Sequence, residues 1–237
     1  MLMILRWNWP MYLKAFLLVT IGLVVCTQFD GLIRWAILCA VASTIFWSAS
    51  SLAASWWIYD RSHIFDLKWM QGSPGHWLNL HNGLDEIDGV LKARYPSCTG
   101  DTLDIFDPNE MTEPSVHESR RGMHSKADQA NWRYLPSSNQ AYDTVFIVFT
   151  AHEFRRAEAR ERLFLEVQRV LRDSGTVVLV EHLRDANNFA VFGPGAFHFL
   201  SRRAWLKSTK PAGLVILNDT RITPFVHAFV LRKMCSL

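Results

Sequence analysis

Two adjacent pairs of titratable residues stand where apolar runs end: His152-Glu153 after Thr144–Phe149, and Glu181-His182 after Thr176–Val180. An imidazole or carboxylate held at the end of a buried strand can take a proton from a bound nucleophile, which makes His152, Glu153 and His182 the candidate catalytic residues. Each has a plainer use: Glu153 suits the first turn of a helix, where its charge meets the helix dipole, and Glu181 and His182 suit structural hydrogen bonds. A third constellation is Trp77-Leu78-Asn79-Leu80-His81-Asn82-Gly83-Leu84-Asp85-Glu86, an apolar strand that breaks into a polar turn and then a helix. Nucleotide-binding α/β sheets hold their ligand at turns of this kind. Only Gly83 stands where a nicotinamide fingerprint needs two or three glycines, which speaks against an oxidoreductase. The cysteines add no chemistry. Cys26 and Cys39 lie in apolar runs, Cys98 and Cys235 stand alone, and without a CxxC pair neither zinc nor redox work is expected, so no metal site is assigned.

These positions need strands and helices to carry them. His76–Leu80 and Cys98–Ile105 read as strands, the second with Asp104 near its end, and Leu84–Arg94 reads as a helix with Ile87, Val90 and Leu91 on one face. Tyr95-Pro96 ends that helix. Thr112–Ser125 is a weakly periodic helix. Thr144–Phe149, apolar without alternation, suits a central parallel strand buried on both faces. The helix Glu153–Arg172 carries a stripe of Leu163, Phe164, Val167, Val170 and Leu171, and Asp173-Ser174-Gly175 should close it with a left-handed glycine. Thr176–Val180 is again a buried strand, and Leu214–Leu217 and Phe225–Leu231 form a terminal pair. The alternation predicts an α/β fold with a doubly wound, mostly parallel sheet. Ligands bind such sheets beyond the carboxyl ends of the strands, near the point where strand order reverses. That rule points to Leu80–Asp85, Asp104, Asn131, Thr150–Glu153 and Glu181–Asp185.

The N-terminal quarter is of another kind. Met11–Cys26 is apolar except for Lys14 and Thr20, and Trp35–Ile58 runs 24 residues without a charge. The second run is long enough to cross a hydrocarbon core of about 30 Å, and the first reaches that length with Trp7, Trp9 and Pro10 at the interface. Thr27–Gly31 joins them, so residues 1–59 are expected to form a transmembrane hairpin, with helices at about 11–28 and 33–58. Residues 60–237 are then the α/β domain. A cleaved signal peptide competes for the first run, but the second follows at once and no small-x-small cleavage site separates them. Arg6, Lys14, Arg61 and Lys68 flank the outer ends and Arg34 alone flanks the loop, which places both termini in the cytoplasm. A net charge of +3, with basic residues scattered, argues against a nucleic-acid partner. Asn187–Leu200 is unusually aromatic and is followed by Arg202, Arg203, Lys207 and Lys210. It suits either a lid on its own sheet or a face toward a bilayer interface.

The series of strand ends resembles the class I S-adenosylmethionine-dependent methyltransferases over nearly all of Trp77–Lys233. Leu78–Asp85 lies where that family has its acidic, glycine-rich first motif, and Leu103-Asp104 is similar to the acid that ends the second strand and binds the ribose. Asn131-Trp132-Arg133-Tyr134-Leu135-Pro136 resembles the segment that meets the adenine amino group. Tyr142-Asp143-Thr144-Val145 and Leu171-Arg172-Asp173-Ser174-Gly175 look like the fourth-strand and post-helix motifs. The resemblance implies a Rossmann-like methyltransferase fold that binds S-adenosylmethionine through Asn79, His81, Gly83, Asp85, Asp104, Asn131 and Trp132. Here Asn79 stands for an acid, His81 and Asp85 stand at glycine positions, and Asn131 replaces an Asp. Asp85 or Glu86 could restore the missing charge. With the hairpin, this implies methyl transfer to a membrane-associated or apolar small molecule, such as a lipid or quinone. The rival is a catalytically inactive domain of the same fold, acting as a membrane-tethered scaffold.

Overall fold

The computed structural model describes residues 2–121 and 127–234; Ser125, at the end of the expected 112–125 helix, and Cys235 lie outside them. The chain divides into two compact units, residues 1–62 with 186–196, and residues 63–185 with 197–237.

The first unit is helical. Helices α1 (Leu2–Val25) and α2 (Gly31–Trp56) are joined by a 3₁₀ turn at Cys26–Gln28, with Gly31 at φ +60° opening α2. They pack closely, since a β-carbon at Gly22 would come within 2.6 Å of Val41. Their helical stretches Asn8–Gln28 and Gly31–Arg61 have mean hydropathies of 1.8 and 1.7 and are long and apolar enough to cross a membrane. Only 6% of each apolar window is buried, so Phe16, Leu18, Trp35 and Phe46 face outward. The third piece of the unit is helix α6 (Ala186–Phe192) with the turn after it. Ser50 Oγ on α2 donates to the Val191 carbonyl at 2.7 Å. Gly193, at φ +52°, lies against Trp47, where a β-carbon would meet the indole at 2.5 Å.

The second unit is built on a seven-stranded sheet of β1 (Trp77–His81), β2 (Gly100–Asp104), β3 (Asp128–Gln129), β4 (Tyr142–Val148), β5 (Leu171–His182), β6 (Leu214–Thr223) and β7 (Val226–Lys233). Its order is β3-β2-β1-β4-β5-β7-β6, with β7 antiparallel to both neighbours and the other pairs parallel. The chain works outward from β1 in one direction and from β4 in the other, so the order reverses between them. Continuous apolar runs hold this centre: β1 is buried throughout, and Val145, Phe146 and Ile147 of β4 are fully enclosed. Around it lie α3 (Asp88–Arg94), α4 (Pro114–Arg120), α5 (Ala157–Val170) and α7 (Arg202–Thr209). Leu163, Phe164, Val167 and Val170 form the buried stripe of α5, and Trp205 of α7 meets Phe164 edge-on at 6.4 Å.

Three local expectations change. Helix α3 begins at Asp88 rather than Leu84, because Asp85 Oδ1 accepts the Ile87 and Asp88 N–H groups (3.2 and 3.0 Å) and turns the chain before the helix starts. Helix α5 ends at Val170, with Leu171 already extended in β5, so Gly175 is no left-handed cap. It is needed for close packing: a β-carbon there would meet Leu171 at 2.8 Å and the Asp143 carbonyl at 2.9 Å. The stretch 218–223, expected as a loop, belongs to β6, an edge strand in which Asn218, Thr220 and Arg221 are exposed and whose register shifts twice against β7.

Candidate functional site

At the end of β1, Asn79 and His81 are buried and Gly83 turns the chain at φ +104°. The Gly83 N–H donates to His81 Nδ1 at 2.9 Å. Nδ1 is therefore an acceptor and the ring's proton sits on Nε2, which is buried without a hydrogen-bond partner among the described residues. Burial holds the His81 imidazole below its ordinary pKa despite nearby Asp85 and Asp104, in keeping with a neutral ring. Asn79 Nδ2 donates to Asp85 Oδ1 at 2.9 Å, so Asp85 is occupied in building the turn. Burial, reinforced by the Asp85 carboxylate, pushes half-buried Glu86 up to about 8.

Asp104 ends β2 with its carboxylate 3% exposed. Oδ1 accepts the Phe106 N–H at 3.1 Å, and Oδ2 accepts Arg120 Nη1 at 2.8 Å. The same Nη1 donates to the Asn82 carbonyl at 2.9 Å, and the guanidinium lies 4.2 Å from the Phe106 ring centre. Arg120 thereby fills the space between the first turn and Asp104, where a β-carbon on Gly83 would collide with it. Beside this turn opens a cleft of about 820 Å3, whose lining includes Gly83, Asp85, Asp88, Asp101 and Asp128 against Lys92. Such a lining suits a cation.

Asn131 and Trp132 each have a local partner. Asn131 Oδ1 accepts the Arg133 N–H at 2.9 Å, in an exposed turn. Trp132 is buried, donates Nε1 to Asp107 at 2.9 Å and packs edge-on against Phe154.

A second group lies past β4 and β5. Phe149, a non-glycine residue at φ +47°, swings the chain out of β4 into a 3₁₀ turn at Ala151–Glu153. His152 Nδ1 meets Glu181 Oε2 at 2.7 Å, and its Nε2 meets Glu153 Oε1 at 3.2 Å. Burial works against the charged ring, but the two carboxylates prevail and push His152 up to about 10. The two carboxylates therefore favour the charged ring, and a base or a metal ligand is made of His152 only when its Nε2 proton is displaced. Burial likewise opposes the Glu153 charge, yet His152 holds that carboxyl below its usual range. Glu153 Oε2 is buried without a hydrogen-bond partner among the described residues.

His182 is not part of this group. It is stacked between Phe149 and Phe199, with ring centres 5.2 and 4.7 Å away, and its Nδ1–H reaches the Phe225 carbonyl at 3.0 Å. His198 takes the place expected of it, with its ring 5.3 Å from His152 and Nδ1 3.3 Å from Glu113. The chain brings it back to β5 through a Leu183–Leu200 bridge and an Arg184 N–H bond to the Leu200 carbonyl at 3.0 Å. Arg155 Nη1 ties the two turns together by donating to the carbonyls of His152 and His198 (3.3 and 2.9 Å). Arg120, Glu113 and His198 were missed in the sequence. His198 lay within a segment noticed only for its aromatic rings, and no spacing rule marks the other two.

No protein-family model matches the chain, and no curated protein matches its sequence. Solved structures match in three dimensions. An O-methyltransferase family 2 protein from Planctomyces limnophilus, in complex with apigenin, aligns with a TM-score of 0.54 at 12% identity, over 85% of this chain and 69% of its own. N,N-8-amino-8-demethyl-D-riboflavin dimethyltransferase from Streptomyces davawensis aligns at 0.53 and 10% identity, over 86% and 60%. The PH0226 protein from Pyrococcus horikoshii OT3 aligns at 0.52 and 14%, over 71% and 85%. At such identities the likeness is one of fold. The mixed seven-stranded sheet with its flanking helices is a Rossmann-like methyltransferase fold.

Proposed function

We propose that this protein is a membrane-anchored methyltransferase that transfers the methyl group of S-adenosylmethionine to a membrane-associated or apolar small molecule. The observation that carries the reading is the buried Asp104 carboxylate ending β2, joined through Arg120 to the first turn with its left-handed Gly83, in a methyltransferase fold. The residues fit the cofactor once Arg120 turns away. Asp104 would then accept from the ribose hydroxyls, and the orphan Nε2–H of His81 would donate to the methionine carboxylate. Methyl transfer asks mainly for alignment of the nucleophile with the sulfonium methyl. The His152–Glu153–Glu181 group supplies a charged, proton-carrying wall beyond β4 and β5. In this reading α1 and α2 span the bilayer with both termini in the cytoplasm, and α6 packs against the cytoplasmic half of α2 at Trp47 and Ser50. That location favours a lipid-like acceptor.

Arg120 favours a second reading, a non-catalytic scaffold in which the guanidinium permanently takes the cofactor's place. Calorimetric titration of the full chain in detergent with S-adenosylmethionine and S-adenosylhomocysteine separates the two. Catalysis predicts binding that Asp104→Ala abolishes and that Arg120→Ala tightens about 10- to 150-fold, since a charged hydrogen bond of about 1.5–3 kcal/mol no longer competes. A folded protein that binds neither ligand, with or without Arg120, is a scaffold.

A further inference from the structure

We propose that His152, Glu153 and His198 bind a divalent first-row transition ion, with zinc as the type. One ligand atom from each lies within 4.8 Å of the others. His152 Nε2 and Glu153 Oε1 are 3.2 Å apart, and two donors about 2.1 Å from a shared ion at a tetrahedral angle are separated by about 3.4 Å. The widest separation closes by a turn of the His198 side chain, which is 27% exposed.

Two features point to a cation in addition to the cluster itself. Glu153 is 5% exposed, yet its Oε2 has no hydrogen-bond partner among the described residues, and a buried carboxylate oxygen left in that state is costly. The imidazoles are also braced from behind. Glu181 holds His152 Nδ1 at 2.7 Å and Glu113 holds His198 Nδ1 at 3.3 Å, so that Nε2 is the atom each offers. Carboxylates on the far nitrogen fix the tautomer and raise the basicity of metal-bound histidines. Two nitrogens and one carboxylate suit zinc, manganese, iron or cobalt better than magnesium or calcium, which prefer oxygen throughout. Three protein ligands leave a position for water or for an oxygen or nitrogen of a small molecule. No spacing rule marks this site in the sequence, because its donors come from two turns far apart in the chain.

Ion binding does not depend on methyl transfer being the reaction, so the two readings stand or fall separately. The test is uptake of Zn2+ and Co2+ by the full chain in detergent, stripped with chelator and free of any histidine tag, with Mg2+ for comparison. The expected result is one tightly held equivalent of Zn2+, a Co2+ derivative with ligand-field absorption in the visible range, and no Mg2+ uptake. His198→Ala and Glu153→Gln should each weaken binding more than about 100-fold, and Glu181→Gln about 10- to 100-fold. Thermal unfolding without metal checks that the variants fold. Should Glu153→Gln fail that check, the more exposed His198→Ala carries the test. A folded wild-type protein that takes up neither ion, or uptake that His198→Ala leaves unchanged, overturns the proposal.

Discussion

Asp104 is claimed twice, by Arg120 in the structure and by a ribose in the proposed function. The small distances around it decide whether the first turn is a binding site or a sealed one. Glu86, one turn away, gives this region a pH dependence. A glutamate ionises near 4.5 in the unfolded chain, but burial and Asp85 raise Glu86 to about 8 in the fold. Between those values the folded protein holds a proton that the unfolded chain has lost, so stability falls as pH rises from about 4.5 to about 8. Thermal unfolding across that range should show the decline in the wild type and a flatter profile in Glu86→Gln. Equal profiles would remove the assignment. At this scale the sequence was only partly legible. Asp104 and Gly83 stood out through position relative to an apolar strand, whereas the turn that Asn131 builds and the contact of Trp132 with Asp107 follow from neighbours no motif names. Arg120 and His198 could not be read, because their partners arrive by tertiary return of the chain.

Elements were more legible than contacts. The runs in β1 and β4 and the stripe of α5 announce themselves because a buried parallel strand needs continuous apolar residues and a helix on a sheet needs one apolar face. Gly175 misled, since a glycine after a helix can serve close packing as well as a cap. The 187–200 segment could not be resolved from its rings alone. The structure splits it, with α6 and the turn through Ala196 joining the helical unit and Phe197 onward joining the sheet unit. Gly193 makes the first of these contacts possible. Gly193→Val combines an unfavourable positive φ with a collision against Trp47, and overpacking of this sort costs about 1–3 kcal/mol. Chymotrypsin should then cut at Phe189 or Phe192 well before it cuts the sheet. Wild-type resistance there would mean that the contact is dispensable.

For the whole molecule, the proposed topology rests on Arg6, Lys14, Arg61 and Lys68 outweighing Arg34. It predicts that a reporter fused after Leu237 is active only as a cytoplasmic fusion, and that a cysteine placed at Phe29 reacts with an impermeant maleimide in intact cells. The opposite labelling pattern would reverse the orientation and with it the compartment of any reaction.

The split at residues 186–196 also bears on how the molecule is made. The hairpin leaves the ribosome before the sheet, but its third piece follows only after β5, and the sheet in turn waits for β6 and β7 beyond that piece. Each unit is interrupted by the other, so the helical unit waits for residue 196 and the sheet for β7. Contacts this distant in sequence are slow to close. A nascent chain therefore presents five strands without their antiparallel edge while its first two helices already seek the bilayer, and a chain begun at residue 60 would carry α6 with nothing to dock on.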